Sequence, residues 1–244
     1  MYEYKGDFFD FVDQSSGRSA SRFLARFIEG IHPASVLDVG CGRGVWLAAW
    51  RELGVTDVKG VDGDYVDTNK LKIPKEEFDA RDISKPFDLE RQFDLVECLE
   101  VAEHIPEEKS SQLLQNLIKH GKTILFSAAI PGQGGEFHVN EQPLEYWRTR
   151  FAQEGYVPFD FPRERVKGID AIEPWYRYNT ILFVHKSIID KLPTQVSAHR
   201  IADNQNIKQF ANASWRIRCF FLSLLPEAAI HRLARLKHRA MTTK

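Results

Sequence analysis

Val36-Leu-Asp-Val-Gly40-Cys-Gly42-Arg-Gly44 is the stretch from which the rest of the chain is read. Residues 35–39 have the apolar character of a buried strand, and residues 45–53, stopped by Gly54, have the pattern of a helix. Three glycines in the spacing G-x-G-x-G join the two. Glycine permits a tight turn and close approach of a ligand to the backbone, and the start of a helix offers N–H groups to an anionic portion of that ligand. A tight strand-to-helix turn with no ligand fits the same letters. Asp62 tips the balance: it ends the next strand candidate, 58–61, at about the 20-residue spacing where an acidic side chain meets ribose hydroxyls.

Outward from this loop, strand and helix signals alternate. Helices are expected at 19–31, with Phe23, Leu24, Phe27, Ile28 and Ile31 at helical spacing, at 107–119 before Gly121, and at 143–153 before Gly155. Strands are expected at 93–99, 123–127, 156–161 and 180–185. This alternation predicts a doubly wound α/β fold, its mainly parallel sheet covered on both faces. Beyond His185 the pattern changes, and 206–240 reads as helix broken near Pro226. The expected organisation is one domain over 1–186 and a helical C-terminal extension over 187–244.

Composition narrows the function classes. The chain has 244 residues, 43% hydrophobic and 27% charged, enough for a sizeable core and far from a disordered composition. Cys41, Cys98 and Cys219 are scattered and form neither a disulfide framework nor a zinc motif, which favours a reducing, cytoplasmic setting. No apolar run approaches a membrane span, and residues 1–7 lack the pattern of a secretory signal. From Gln195 to Lys244 nine Lys and Arg face two Asp and Glu, against a whole-chain net charge of −1. The body is therefore acidic and the tail basic. An acidic body argues against a nucleic-acid partner.

In the dinucleotide fingerprint G-x-G-x-x-G the third glycine comes one position later than here, which disfavours a nicotinamide dehydrogenase. With Asp38 inside the strand, G-x-G-x-G resembles the class I S-adenosylmethionine-dependent methyltransferases. The resemblance runs from about residue 19 to 185. It includes Val58-Lys-Gly-Val-Asp62, the pair Asp82-Ile83, and Phe93-Asp-Leu-Val-Glu-Cys-Leu-Glu-Val-Ala-Glu-His-Ile-Pro106. It implies a seven-stranded sheet whose last strand is antiparallel, and S-adenosylmethionine as cofactor. Gly40, Gly42 and Gly44 would line its methionine part, Asp38 would reach toward its amino group, Asp62 would take the ribose hydroxyls, and Asp82 and Ile83 would flank the adenine. For Asp82 a turn or capping role is the alternative. Ser127-Ala-Ala-Ile-Pro-Gly-Gln-Gly-Gly, His138-Val-Asn-Glu-Gln142 and Trp175-Tyr-Arg-Tyr-Asn179 resemble a bacterial subgroup associated with surface-glycan or natural-product biosynthesis. The implied acceptor is a hydroxyl of a sugar, glycan or small molecule. A cofactor-binding scaffold without turnover is the non-catalytic alternative.

Ligands in open α/β sheets bind outside the carboxyl ends of the strands. That collects Glu100, Glu103 and His104 after one strand and Gln133, His138, Asn140 and Glu141 after another. Methyl transfer from a sulfonium needs an aligned nucleophile and a group that takes its proton, a role suited to imidazole. His138 is the first candidate base, with Asn140 and Glu141 placed to fix its ring, and His104 the second; a histidine that merely ties down its loop is the alternative. If residues 100–104 were helical, Glu100, Glu103 and His104 would share a face. With His138 they could then ligate Mg2+ or Mn2+. A similar E-x-x-E-H arrangement occurs in metal-dependent O-methyltransferases acting on RNA ends and quinone precursors. Trp175, Tyr176, Arg163, Arg165 and Arg177 fall in a stretch expected to roof the site, as substrate contacts or as packing and solvated charge.

The tail pattern, Trp215 to Leu225 followed by Ile230, Leu233, Ala234 and Leu236 beside Arg232, Arg235, Lys237 and Arg239, is basic and amphipathic. It suits the anionic inner face of a membrane, packing on the domain, or a homodimer contact.

Overall fold

The computed structural model describes residues 6–226. Seven strands form one sheet: β1 (Ser35–Val39), β2 (Asp57–Asp62), β3 (Phe78–Ala80), β4 (Leu95–Leu99), β5 (Thr123–Ser127), β6 (Tyr156–Phe159) and β7 (Ile181–His185). Their order is β3-β2-β1-β4-β5-β7-β6. Every pairing from β3 to β5 is parallel, and β7 runs antiparallel to both its neighbours, as expected for the last strand. The connections supply the covering helices α1 (Gly6–Phe27), α2 (Val45–Glu52), α3 (Ser110–His120), α4 (Leu144–Gln153), α5 (Phe161–Val166) and α6 (Pro174–Asn179). Two short helices follow, α7 (Thr194–Ser197) and α8 (Ala213–Ser223).

Period-two alternation divides the strands between two cores. Val36, Leu95, Leu125 and Val184 pack with α1, α2 and α5. Leu37, Val96, Ile124 and Phe183 pack with α3 and α4 on the other face. Every residue of β1, β4 and β5 is buried, the pattern of a sheet covered on both sides. The strand order reverses between β1 and β4, so the crevice at their carboxyl ends is the natural ligand site.

Several boundaries differ from expectation. Helix α1 begins before residue 19, because Ser15, Ser16 and Ser19 belong to its buried face along with Ala20 and Phe23. A pattern of apolar letters does not register serines, yet Ser16 Oγ meets the Tyr176 hydroxyl at 3.0 Å and Ser19 Oγ accepts from Glu173 N at 3.1 Å. Strand β3 has only three residues and escaped the pattern entirely. The helix expected from 107 opens as a 3-10 turn, Glu107–Lys109, and becomes α-helical at Ser110. The tail helix expected from 206 starts instead at Ala213, where the Asn212 side chain accepts from Trp215 N at 2.9 Å and caps it.

The segment after β7 stays on the domain. Ile188, Ile189, Leu192 and Val196 pack against the α1–α2 core. Ile201 N donates to Pro158 O, Arg148 to Ala202 O, and Arg163 to Lys208 O. The expected helical continuation through Ile230, Arg232, Leu233, Ala234, Arg235, Leu236, Lys237 and Arg239 lies outside the described residues. Among the described residues no helix is long and apolar enough to cross a membrane.

Candidate active site

The glycine loop sits at the carboxyl end of β1. Gly40 has φ +88°, and a Cβ there would lie 2.4 Å from a Val101 methyl. Gly44, at φ +79°, directly precedes α2. Both positions therefore exclude other residues, by backbone conformation and by space. Gly42 N donates to Asp62 Oδ2 at 2.6 Å, and Gly63 N donates to Asp62 Oδ1 at 2.7 Å. The Tyr65 hydroxyl also donates to Oδ1. Asp62 thus ties the loop to the end of β2 while retaining lone pairs for further donors. Burial pushes its carboxyl up, and the bonds from Tyr65, Gly42 and Gly63 act against that push. Tyr65 had no signal in the sequence beyond nearness to Asp62.

Asp38 faces Glu97, its register partner on β4. Asp38 is 4% exposed and Glu97 not at all. Burial, then repulsion from Glu97 and Asp62, holds the Asp38 carboxyl well above the usual range. Glu97 accepts from Trp50 Nε1 at 2.9 Å through one oxygen, while its other oxygen is buried without a hydrogen-bond partner among the described residues. A cation at the mouth of this acidic group would relieve the repulsion, and the ammonium of S-adenosylmethionine is such a cation. The donor set and the glycine cradle therefore fit that cofactor. The signal for Glu97 was its place as a charge in the middle of an apolar strand.

Burial pushes Glu97 up to about 8, so the folded state favours its protonated form. Its contribution is fully present below the unfolded carboxyl value, about 4.3, and is lost as pH rises toward 8. Glu97→Gln keeps an acceptor for Trp50 and removes the ionisation. Calorimetric melting temperatures of the two proteins should agree near pH 4.5. By pH 8.5 the variant should melt roughly 4–8 °C higher, for an effect on the order of 2 kcal/mol. An unchanged gap between the two pH values would refute the buried-acid account.

Asp82 lies two residues past β3, beside the Asp62 turn, where Arg81 N donates to Asp62 O. Its Oδ1 accepts from Ser84 N at 3.1 Å and Ser84 Oγ at 2.6 Å, and Lys85 is 3.0 Å from Oδ2. The Ser84 hydroxyl, more than Lys85, lowers its pKa. Through Oδ1 this aspartate closes a turn, and its side chain stays partly exposed. Ile83 beside it is buried.

The chemistry-bearing segment after β4 is not α-helical. Glu100 sits at φ +55°, and only Ala102–His104 form a 3-10 turn. Glu103, His104 and His138 offer ligand atoms within 4.8 Å of one another, and Glu100 is not part of that set. Glu100 instead accepts from Gln133 Nε2 at 2.7 Å. Three of the four expected ligands thus form one set, while Glu100 stays beside Glu103 and His138. Burial raises both carboxyls, and for Glu103 the neighbouring Glu100 adds to it.

Main-chain bonds join this turn to the loop after β5. Val139 N and Asn140 N both donate to Glu103 O. Asn140 Nδ2 donates to Ser110 Oγ at 3.0 Å and to Ala102 O, so it holds the loop rather than the His138 ring. Glu141 does hold that ring: its Oε1 is 2.7 Å from His138 Nδ1. Glu141 is fixed in turn by Gly132 N and Gly134 N, at 2.8 and 2.7 Å. A carboxylate only accepts, so Nδ1 carries a hydrogen, and in the neutral ring the lone pair falls on Nε2. By the same logic His104 Nδ1, 3.2 Å from Phe137 O, carries its hydrogen. Burial, then electrostatic repulsion from the neighbouring His138 ring, lowers His104 to about 3, so its ring is neutral at ordinary pH. The two imidazoles stand 5.0 Å apart, edge to face.

The roof residues have partners within the protein. Arg163 is fully buried, paired with Asp160 at 2.5 and 2.8 Å and donating to Tyr178 O and Lys208 O. Arg177 pairs with Asp170 at 2.6 Å, and Arg165 with Glu29. Tyr176 lies edge-on to Trp46 at 4.9 Å, and Trp175 is half-buried beside it. The sequence placed these groups near the site but could not count their partners, which come from distant segments.

Residues 12–165 match a family described as "Methyltransferase domain". A ubiquinone biosynthesis O-methyltransferase of Acinetobacter baylyi is 31% identical over 126 residues, covering 48% of this chain and 48% of that protein. The chain thus spans about half the length of this curated relative. The structure of a sugar N-methyltransferase from Streptoalloteichus superposes with a TM-score of 0.55 at 17% identity, covering 76% of this chain and 94% of that one. That of a magnesium protoporphyrin IX methyltransferase from Synechocystis, with bound S-adenosylhomocysteine, gives 0.51 at 17% identity, covering 72% and 84%. Both of these are likenesses of fold.

Proposed function

Because the chain belongs to the methyltransferase-domain family and has the class I fold, we propose that it methylates a hydroxyl of a sugar, glycan or other small molecule. When bound, S-adenosylmethionine supplies an electrophilic methyl group on a sulfonium. Gly40, Gly42 and Gly44 shape the space for its methionine part, Asp38 faces its ammonium, Asp62 takes the ribose hydroxyls, and Asp82 and Ile83 take the adenine. His138 Nε2 accepts the acceptor hydroxyl's proton. Glu141 holds the ring in the Nδ1–H tautomer, which leaves the lone pair on Nε2 beside Gly135, and stabilises the imidazolium that results. The observation that carries the reading is the 2.7 Å contact between His138 Nδ1 and a carboxylate itself anchored by two backbone N–H groups. The test is transfer of a labelled methyl group to a panel of sugars, glycan fragments and phenolic or quinol hydroxyls. Binding of the cofactor with no transfer to any of them, or to a cell extract, would leave only a scaffold role.

A second reading has its own observation. Glu103, His104 and His138 offer ligand atoms within 4.8 Å of one another, and each Nδ1 is turned to an oxygen acceptor. These three would hold Mg2+ or Mn2+, an ion that would lower the pKa of an acceptor hydroxyl and orient it. The curated relative acts in ubiquinone biosynthesis by name, and a quinol is the acceptor this reading favours. The chelator experiment separates the two. With His138 as base, turnover persists in excess chelator and Mn2+ gives no binding isotherm. Loss of turnover with recovery on added Mn2+, together with measurable Mn2+ binding that Glu103→Gln abolishes, would assign His138 as a ligand instead.

A further inference from the structure

Helix α8 carries an unusual outer face. Ile217, Phe220, Phe221, Leu224 and Leu225 are 56, 61, 61, 65 and 38% exposed. At 3.6 residues per turn Ile217, Phe220 and Phe221 fall on one side of the helix axis, and Leu224 and Leu225 follow at its C-terminal end. Arg216 borders that side at one edge and Arg218 at the other, both exposed. Residues 204–226 contain no acidic residue. Buried Cys219 marks the opposite side, and Arg218 anchors the helix by donating to Gln133 O at 2.9 Å.

We propose that this arginine-edged apolar face of α8 lies on an anionic lipid surface. A narrow stripe of large aliphatic and aromatic side chains sinks into the acyl boundary, while a cation on each side meets lipid phosphates. No helix among the described residues can cross a membrane, so the contact is peripheral. A basic tail on an acidic body directs the same end of the molecule toward such a surface.

The face is joined to the candidate site. Gly132, at φ +78°, packs so closely under α8 that a Cβ there would meet Cys219 O at 2.1 Å. Gly132 N is one of the two donors that fix Glu141, and Glu141 fixes His138. Gln133, which receives Arg218, donates to Glu100. Docking α8 therefore sets the loop that carries His138 one layer from the lipid headgroups. Resting on the proposed methyl transfer, this points to an acceptor whose hydroxyl-bearing head sits at the interface and whose tail remains in the bilayer.

The test is flotation of the full chain with phosphatidylcholine vesicles with and without phosphatidylglycerol, beside the Phe220→Gln, Phe221→Gln double variant. Circular dichroism and S-adenosylmethionine affinity check the fold of both, and report on the cofactor reading separately from docking. The intact protein should float with the anionic vesicles, less so at higher salt, and the variant should partition at least about tenfold more weakly. An intact protein that stays with the soluble fraction would overturn the proposal. So would a variant that floats equally well, which would give the contact to residues 227–244. Concentration-dependent dimerisation in sedimentation, abolished by the same substitutions without any flotation, would make the face a contact between copies.

Discussion

Replacing His138 by alanine is expected to lower kcat by about 10²–10⁴-fold, the usual range for general acid–base assistance, with little change in cofactor affinity. The acceptor hydroxyl is a poor nucleophile while protonated, so removing its proton acceptor acts on the chemical step. The groups assigned to methionine, ribose and adenine come from the ends of β1, β2 and β3, whereas His138 lies after β5. Glu141→Gln should fall in the same direction by less. Glutamine still accepts from Nδ1, but it forfeits the charge that stabilises the imidazolium and cannot satisfy both Gly132 N and Gly134 N with a carboxylate's two oxygens. The measurement is single-turnover methyl transfer beside calorimetric titration of S-adenosylmethionine. Near-normal turnover of His138→Ala on the true acceptor would move the chemistry to alignment alone, or to His104.

Asp62→Ala should weaken S-adenosylmethionine binding by about 10²-fold or more. Two ribose hydroxyls lose a charged acceptor, each such bond being worth roughly 1.5–3 kcal/mol. Gly42 N loses its partner at the same time, which loosens the glycine loop at the point where the methionine part would sit. Asp62→Asn distinguishes the two contributions. Its carbonyl can still serve one donor, so it should bind better than alanine and worse than the native residue. Titration calorimetry on all three proteins gives the comparison. Equal affinities would remove Asp62 from the cofactor site and leave it as a brace between β2 and the glycine loop.

Features that depend on a short run of chain were legible in advance. The strand, the three glycines and the following helix appear where the letters placed them, and Asp62 stands at the end of β2. Resemblance extended this to the seven strands and the antiparallel β7. Near His138 the reading was half right. Glu141 and Asn140 were equally close in sequence, yet only Glu141 reaches the ring, because Asn140 is drawn to Ala102 O and Ser110.

What failed to show in the sequence shares a cause. Ser16 and Ser19 line a buried helix face because Tyr176 and Glu173, more than 150 residues away, supply their partners. Glu100 accepts from Gln133, which follows a different strand and lies 33 residues on. Arg163 is buried because Asp160, Tyr178 and Lys208 converge on it from three segments.

The sequence by itself determined most of the alternation of strands and helices, the glycine cradle and the acid at the end of β2, since turn chemistry and periodicity act over a few residues. The tertiary structure alone decided which side chains meet. It paired Asp38 with Glu97 across β1 and β4, and it brought Glu103 and His104 to His138. It also left the arginine-edged face of α8 exposed beside the loop that holds Glu141. Such meetings depend on the register of segments far apart in the chain, which residue periodicity does not record.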